Sequence, residues 1–575
     1  MTRLKTALLP ALVLLSCSIA HAEPLARVQG VRDADLLAAI ELAIGERDTR
    51  PDTPATSAMR DARTAADRTR RLLRSRGYYA ARVDTFVDDA GGARLRVLPG
   101  PQFTIGQVDA QTGDDSDARA GALEAIDLPT GAPLLAQTVI DAEARGLRSL
   151  QNEGWPDAEL LEREVVVDHA GPDGLITFRF EPGPFSRYGE ISRDTGSWNP
   201  QFIARISPLE RGGIASREAM LDYQRRLDSL ASVRSARVTL GPPVDGTDAR
   251  TVAVDLTAAD RHTIETGLRY STSEGAGADV RWTRRNVLGN DETLTLSSTL
   301  ATLNQSATAR LERPHWRRYA QTLFLHSGLT RETTDAYDQD EVEAGVEITR
   351  RVGERRLYGV GLTLDSSRVT DIAGERDIIT AALDLSGGYD SRNDALDPTG
   401  GLRASLRVTP ALTFGDVDGR YVRVEARASG YHPLSDTLVA AVRARVGSVL
   451  GTSATTLAAD DRFYAGGGGS ARGFEYQSLS PIGSDGEPFG GLSVVELSTE
   501  LRWRVTPQWG AVAFIDNAIA SDLNAPEFGG MRSAIGVGAR YYFDFAPVRI
   551  DLATPLDRRT GEPGFQIYLS LGQAF

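Results

Sequence analysis

Apolar and polar residues alternate over long stretches of the C-terminal half of the chain. In residues 402–408, 422–428 and 442–446, apolar side chains at every second position are separated by polar ones, most of them arginine. A period of two predicts β-strands with two different faces. Such stretches, with turn sequences such as Gly289–Asp291 between them, continue from about residue 261 to the C-terminus. We therefore predict a second half formed almost entirely of strands.

The first half has a different hydrophobic pattern and contains an internal repeat. Gly77, Gly154 and Ala231 occupy equivalent positions at intervals of 77 residues, and the first two are each followed by an aromatic residue. We predict three α+β units in which a helix ends at this Gly–aromatic break and packs on a small sheet. The third unit departs from the pattern because alanine replaces the glycine.

The first 22 residues have the three parts of a secretory signal. Arg3 and Lys5 precede an apolar run from Ala7 to Ile19, and Ala20-His21-Ala22 forms the small-x-small cleavage pattern. The run is shorter than the roughly 20 residues of a membrane-spanning helix. We expect a signal peptide over residues 1–22, with a lipidated Cys17 as the alternative.

The strand-rich half is compatible with a soluble sandwich or with a membrane barrel, because both produce the same period. Beyond residue 22 no apolar run is long enough for a spanning helix. A membrane-embedded mature chain would therefore have to be a closed barrel. Since arginine-rich faces suit a water-filled lumen, we favour a transmembrane β-barrel over residues 261–575, with about 16 antiparallel strands at roughly 20 residues per strand and loop.

Composition excludes several other functions. The formal net charge is −14, which offers no basic field for nucleic acid. Cys17 and Lys5 are the single cysteine and lysine, so the mature chain would lack a thiol nucleophile, a Schiff-base lysine and a phosphate-gripping lysine. The six histidines are scattered without metal-ligand spacing. We expect neither an enzyme nor a cofactor or metal site.

Three segments carry motifs. Residues 462–474 read Arg-Phe-Tyr-Ala-Gly-Gly-Gly-Gly-Ser-Ala-Arg-Gly-Phe, residues 514–518 read Phe-Ile-Asp-Asn-Ala, and the chain ends in an alternating strand over 565–575. The glycine-rich segment lacks the Gly-Lys-Ser/Thr of a phosphate loop, which leaves a plain flexible loop as the alternative to a specific role.

These segments resemble the outer-membrane assembly factors that include BamA, TamA and the two-partner secretion transporters. Arg472, Gly473 and Phe474 are similar to the tip of that family's long loop, which folds back into the barrel. Asp516 is similar to the lumen aspartate that meets the loop arginine, and Phe575 to the last residue of the C-terminal β-signal. An aspartate on an apolar strand is costly without a partner, so we infer an Arg472–Asp516 pair.

The resemblance also extends to the first half. Its three units look like POTRA domains, with expected bounds of 23–101, 102–185 and 186–260. Their number and the total length of 575 residues are similar to the TamA type.

The resemblance implies insertion or translocation of β-barrel proteins such as autotransporters, without nucleotide hydrolysis. The implied active region is a lateral seam between the first and last barrel strands, in which a strand near Thr263–Tyr270 would pair with residues 565–575. Its expected residues are Ile264, Thr266, Leu268, Ile567, Leu569, Leu571 and Gly572.

Partners and location also follow from the resemblance. The implied partners are a TamB-like protein anchored in the inner membrane, unfolded outer-membrane proteins and outer-membrane lipid, and not nucleic acid. The implied location is the outer membrane, with the POTRA units in the periplasm. A two-partner-secretion-type conduit, or envelope lipid transport with a TamB-like partner, is the alternative.

Overall fold

The computed structural model describes residues 24–46, 58–168, 171–244, 246–543 and 547–571. The expected signal peptide, and Gly572 and Phe575 of the expected seam and β-signal, lie outside the described residues. No helix in the described part of the chain is long and apolar enough to cross a membrane.

The first half contains three copies of a strand–helix–helix–strand–strand unit. The first comprises β1 (Arg27–Gln29), α1 (Ala34–Ile44), α2 (Ala58–Ser75), β2 (Arg82–Val87) and β3 (Ala93–Leu98). The second comprises β4 (Thr104–Gln111), α3 (Ser116–Ile126), α4 (Ala136–Asn152), β5 (Glu159–Val167) and β6 (Asp173–Glu181). The third comprises β7 (Arg187–Asp194), α5 (Pro200–Ile206), α6 (Arg217–Asp228), β8 (Val233–Pro243) and β9 (Ala249–Ala258).

Each copy forms a three-stranded mixed sheet with its last strand in the middle. The strand orders are β1-β3-β2, β4-β6-β5 and β7-β9-β8. In the first two copies the central strand is parallel to the first strand and antiparallel to the second. This arrangement leaves two edge strands in every sheet.

The predicted glycine breaks end the long helices of the first two copies. Gly77 and Gly154 follow α2 and α4 with φ angles of +86° and +117°, which favour glycine. A Cβ atom at Gly154 would also lie 2.2 Å from the Phe185 ring. The core of the second copy then forms from apolar faces of both helices and the sheet, with Phe178 fully buried.

Sixteen strands of the described chain form a closed antiparallel barrel, which confirms the predicted fold class and strand number. They are β10 (His262–Ser271), β11 (Gly275–Arg285), β12 (Thr293–Ala301), β13 (Asn304–Arg313), β14 (Gln321–Thr333), β15 (Asp338–Val352), β16 (Arg356–Asp371), β17 (Gly374–Asp390), β18 (Gly401–Gly415), β19 (Gly419–Ser435), β20 (Leu438–Leu450), β21 (Ser493–Arg504), β22 (Trp509–Ser521), β23 (Arg532–Tyr542), β24 (Pro547–Pro555) and β25 (Gln566–Leu571). We call the end at which β10 begins the proximal end, and the opposite end the distal end.

The two faces of the barrel strands differ as the alternation predicts. Leu402 and Leu406 of β18 and Leu362 of β16 are exposed apolar side chains. On the other face, Thr363 of β16 donates a hydrogen bond of 3.0 Å to Asp384 of β17. The apolar face therefore lies outside the barrel, and polar side chains line the lumen.

Contacts divide the chain into two compact units. One holds the described residues up to Ile191 with Leu209–Leu221 and Leu240–Val252, and the other holds the rest, including the barrel. Every helix and strand lies within one of the expected domain ranges. The division between the two compact units, however, falls inside the third copy of the repeat. The expected boundaries thus remain predictions.

The part of the third copy that belongs to the barrel unit contacts a barrel turn. Asp291, between β11 and β12, accepts hydrogen bonds from the backbone N–H groups of Ala231 and Ser232 at 3.0 and 2.8 Å. Burial raises the pKa of this carboxyl. Ala231, which departs from the repeat pattern, therefore lies at a contact that fastens the repeat to the turn.

Candidate functional site: a lumen loop and the barrel seam

The long connection between β20 and β21, residues 451–492, packs inside the barrel. Phe463 is fully buried. A Cβ atom at Gly447 of β20 would lie 2.4 Å from the Phe463 ring, so the glycine leaves room for this ring. Further buried apolar residues of this loop pack on the barrel wall, among them Ala465, Ala471, Phe474 and Leu479. This segment is therefore an anchored element of the lumen and not a plain flexible loop.

A buried ion pair fixes the first half of the loop. The Arg462 guanidinium lies 2.5 Å from a carboxylate oxygen of Asp371, at the distal end of β16, and neither side chain is exposed. Arg462 also donates to the carbonyl oxygens of Phe489 at 3.0 Å and Leu457 at 3.1 Å. The sequence motif includes Arg462, but nothing in the sequence pointed to Asp371, which stands in an ordinary turn sequence.

The structure brings Arg472 and Asp516 together in the lumen. Arg472 Nε and its backbone N–H donate to Asp516 Oδ2 at 2.7 and 3.0 Å, and Nη2 donates to Oδ1 at 3.0 Å. The guanidinium carbon lies 3.5 Å from the centre of the Phe514 ring. Both charged side chains are almost completely buried, so the charge-assisted bonds offset the cost of removing them from water.

Two further carboxylates complete the surroundings of Arg472. Its Nη1 lies 2.8 Å from Glu500 of β21 and 3.1 Å from Asp551 of β24. Arg502 pairs with Glu500 at 2.8 Å, and Arg540 pairs with Asp551. Sequence reasoning missed Glu500. Sequence reasoning also assigned no role to Arg540 or Asp551.

The loop tip reaches the last barrel strand. Gly473 donates its backbone N–H to the Tyr568 hydroxyl of β25 at 3.0 Å, and this hydroxyl donates to the Phe474 carbonyl oxygen at 3.3 Å. Gly473 has a φ angle of +97°, and a Cβ atom there would lie 2.8 Å from Cβ of Ala534. The glycine of the motif is therefore required by both backbone conformation and space.

The same loop also contacts the first barrel hairpin. The backbone N–H of Gly468 donates to Glu274, in the β10–β11 turn, at 2.8 Å. A Cβ atom at Gly468 would lie 2.9 Å from the Tyr568 ring. The loop therefore contacts both sides of the β10–β25 junction, a bridge that the sequence did not indicate.

The described part of the junction comprises two residue pairs. Within the described residues, Tyr270 pairs with Leu569 and Ser271 with Tyr568, whereas β10 pairs with β11 at ten positions. The Thr272 N–H adds one bond of 3.1 Å to the Ile567 carbonyl oxygen. We call this β10–β25 junction the seam.

The structure places the expected seam residues differently. Leu569 lies in the β10–β25 pairing, and the carbonyl oxygen of Ile567 accepts the Thr272 N–H. Leu571 pairs with Val548 of β24. Ile264, Thr266 and Leu268 pair with β11, and among the described residues no β25 partner lies opposite them.

No group of three or more His, Cys, Asp or Glu side chains in the described ranges is arranged to hold a metal ion. The described contacts of the loop and the seam are backbone pairing, side-chain hydrogen bonds and buried ion pairs.

Comparison with known proteins identifies the family. The model of the Omp85 superfamily domain matches residues 286–575, half of the chain. The chain belongs to the Omp85 superfamily. The match covers β12–β25 together with the lumen loop and Asp516.

A curated relative matches this Omp85 chain at low sequence identity. It is 24% identical over 333 residues to the outer membrane protein assembly factor BamA of Nitratidesulfovibrio vulgaris, an alignment that covers 54% of this chain and 41% of that protein. The chain thus spans less than half the length of this relative.

Two solved structures resemble the Omp85 chain. BamA from Haemophilus ducreyi lacking POTRA domains 1–3 has a TM-score of 0.66 at 17% identity, covering 82% of this chain and 100% of that one. CdiB from Acinetobacter baumannii has a TM-score of 0.51 at 14% identity, covering 82% and 90%. These likenesses establish the fold.

Proposed function

We propose that this protein is an outer-membrane assembly factor of the TamA type, which inserts or translocates β-barrel proteins such as autotransporters through its seam. The observation that carries the proposal is that the lumen loop contacts both sides of the seam, through Glu274 and Tyr568. Each of these side-chain hydrogen bonds contributes about 1 kcal/mol, so they can be released without nucleotide hydrolysis.

Once the seam opens, the β25 side of β10 would supply the edge on which a client strand adds. Unpaired N–H and C=O groups along an edge bind an added strand by β-augmentation. Ile264 and Leu268 are 70% and 83% exposed and would present apolar side chains to the membrane while the backbone pairs. We propose the expected residues of β25, with Gly572 and Phe575, as the other side of the gate.

The lumen loop would preserve the barrel while the seam moves. Arg472 joins the loop to β21, β22 and β24 through buried carboxylates, which keeps those strands together. The contacts to Glu274 and Tyr568 are fewer and can break with the seam.

The remaining assignments follow from the TamA likeness. We propose a signal peptide over residues 1–22, a barrel in the outer membrane with its proximal end toward the periplasm, and POTRA domains at 23–101, 102–185 and 186–260. Their sheet edges would meet unfolded outer-membrane proteins, and the first would meet a TamB-like partner.

A disulfide across the seam tests the proposal. Tyr270→Cys with Leu569→Cys places one cysteine on each side of the junction, and the mature chain would be otherwise free of cysteine. Oxidation is expected to stop assembly of an autotransporter barrel in proteoliposomes, and reduction to restore it. The matched control, Leu362→Cys with Leu383→Cys, cross-links β16 to β17 and leaves the seam free.

Continued assembly with a demonstrably locked seam would overturn lateral insertion. It would favour instead a secretion conduit through the lumen, or lipid transport with a TamB-like partner.

A further inference from the structure

A second feature of the lumen is a cavity rich in arginine. It has a volume of about 610 Å³ and lies between strands β15 and β19, reaching the proximal ends of β15 and β17. Six guanidinium groups line it, from Arg351, Arg355, Arg403, Arg407, Arg423 and Arg427. We call it the arginine cavity.

The carboxylates of this cavity do not balance its charge. Of its three acidic side chains, Asp390 is bound by Arg392 through two hydrogen bonds of 3.0 and 2.8 Å. Glu425 is surrounded by the guanidinium groups of Arg423, Arg427 and Arg445. Glu347 is the remaining acidic residue.

Four of the six arginines are left without a carboxylate partner. Among the described residues, no ion pair joins a carboxylate to Arg351, Arg355, Arg403 or Arg407. All four belong to exposed residues. Arg351 donates to the Glu354 carbonyl oxygen at 3.3 Å and Arg355 contacts the Tyr389 hydroxyl, bonds to neutral groups that a carboxylate ligand can replace. The cavity therefore has surplus positive charge and free N–H donors.

The charge of the lumen reverses beyond this cavity. A neighbouring cavity of about 530 Å³ shares Arg407 and Arg423 with it and extends toward the distal end. Its lining includes Glu341, Glu343, Asp365, Asp384, Asp460 and Asp461. An anion that enters from the proximal end thus meets attraction first and repulsion further in.

We propose that the arginine cavity binds an acidic segment of a polypeptide. Guanidinium groups on adjacent strands are suited to side-chain carboxylates in an extended chain. An anionic lipid fits less well, since the polar lining of the lumen offers little surface for acyl chains. The acidic cavity limits how far the segment enters.

This proposal rests on the proposed function only for the arrival of an unfolded chain at the proximal end. Binding is measurable without assembly. Loss of peptide binding with intact assembly, or the reverse, therefore separates the failure of one proposal from the failure of the other.

Peptide binding to the full-length protein in nanodiscs tests the inference. A fluorescent oligoglutamate peptide is expected to bind, with affinity that falls as salt rises, and an uncharged oligoglutamine peptide of the same length is not. The double variant Arg403→Gln/Arg407→Gln should weaken oligoglutamate binding by about tenfold or more, because charged hydrogen bonds are lost. Fluorescence anisotropy reports both results.

The matched control removes the same charge elsewhere. Arg331 and Arg368 are exposed, pair with Asp340 and Asp377, and do not line the cavity. Arg331→Gln/Arg368→Gln should leave peptide affinity within about twofold of the unmodified protein. An equal loss in both double variants would overturn the proposal.

Two further outcomes would also overturn it. One is salt-insensitive peptide binding, or none, to the unmodified protein, which needs no variant to fold. The other is binding of short-chain phosphatidylglycerol, abolished by Arg403→Gln/Arg407→Gln, without binding of oligoglutamate. That result would make the cavity a lipid-headgroup site.

Discussion

The β16–β17 joint and the β10–β25 seam close the same barrel in different ways. β16 and β17 pair at sixteen positions, from Arg356–Tyr389 to Asp371–Gly374. The described residues of the seam pair at two. Backbone hydrogen bonds hold the first joint, whereas side-chain contacts from the lumen loop, through Glu274 and Tyr568, supplement the second.

The loop tip contacts the seam, whereas the first half of the loop is bound to Asp371 at the distal end of β16. The position of the tip therefore matters at the seam, and the sixteen backbone pairs of β16 and β17 do not depend on it. Changes to the tip should therefore loosen the seam and leave the β16–β17 joint intact.

The largest loss of stability should come from Arg472→Ala. The substitution leaves Asp516, Glu500 and Asp551 close together without the central cation, and removing one partner of a buried ion pair costs about 3–5 kcal/mol. We expect this loss in urea unfolding of the barrel, with faster hydrogen exchange at the seam.

Arg331→Ala is the control for this loss. Its pair with Asp340 is more than half exposed on both sides and should cost at most about 1 kcal/mol. Equal destabilisation by both substitutions would show that the loop network does not stabilise the barrel specifically.

A smaller effect is expected from Gly473→Ala. The φ angle of +97° and the close approach of Ala534 together should cost about 1–3 kcal/mol. Gly469→Ala is the matched control, because no atom lies within 4 Å of a Cβ there and its φ angle is not positive. Cross-linking yield between cysteines at 270 and 569 should fall only in the first variant.

Most of the architecture could be predicted from the sequence because the strands and the repeats each show a regular spacing of residues along the chain. Alternation predicted the barrel strands, and the spacing of Gly77 and Gly154 predicted the repeats. The Arg472–Asp516 pair was inferred from the family resemblance together with the cost of an aspartate buried without a partner.

The rest depended on which strands become neighbours. Asp371, Glu274 and Tyr568 are far in sequence from the loop residues that they contact, and nothing in their local sequence marks them. The register of the seam is likewise set by the closure of the whole barrel, which no local period encodes.

Lowering the pH should destabilise the β13–β14 turn, which belongs to a part of the barrel away from the seam. Burial, and then Arg226 and Arg205, lower the pKa of His315 in the β13–β14 turn from 6.5 to about 4. Its neutral Nδ1 accepts the Ala320 N–H at 3.1 Å, a bond that protonation abolishes. Because the unfolded chain takes up this proton first, stability is complete above about pH 6.5 and falls as the pH drops toward 4.

The expected loss is about 1 kcal/mol per pH unit in that window. Hydrogen exchange at the β13–β14 turn between pH 7.5 and 5.5 measures it, and His315→Gln should remove the dependence on pH. If seam amides respond and the turn does not, the two regions are not independent in the way proposed.

The smallest effect should come from Tyr568→Phe, which removes only the hydroxyl oxygen that joins the last barrel strand to the loop tip. The hydroxyl accepts from the Gly473 N–H and donates to the Phe474 carbonyl oxygen, so its loss should cost about 1 kcal/mol. Amides of Tyr270–Thr272 should exchange several times faster, while those of β16 and β17 keep their rates. Tyr541→Phe, whose ring packs on Trp509 at 4.9 Å, is the control. Equal acceleration in β16–β17 would mean that the hydroxyl stabilises the barrel as a whole, and the seam would then not be a separate element of the fold.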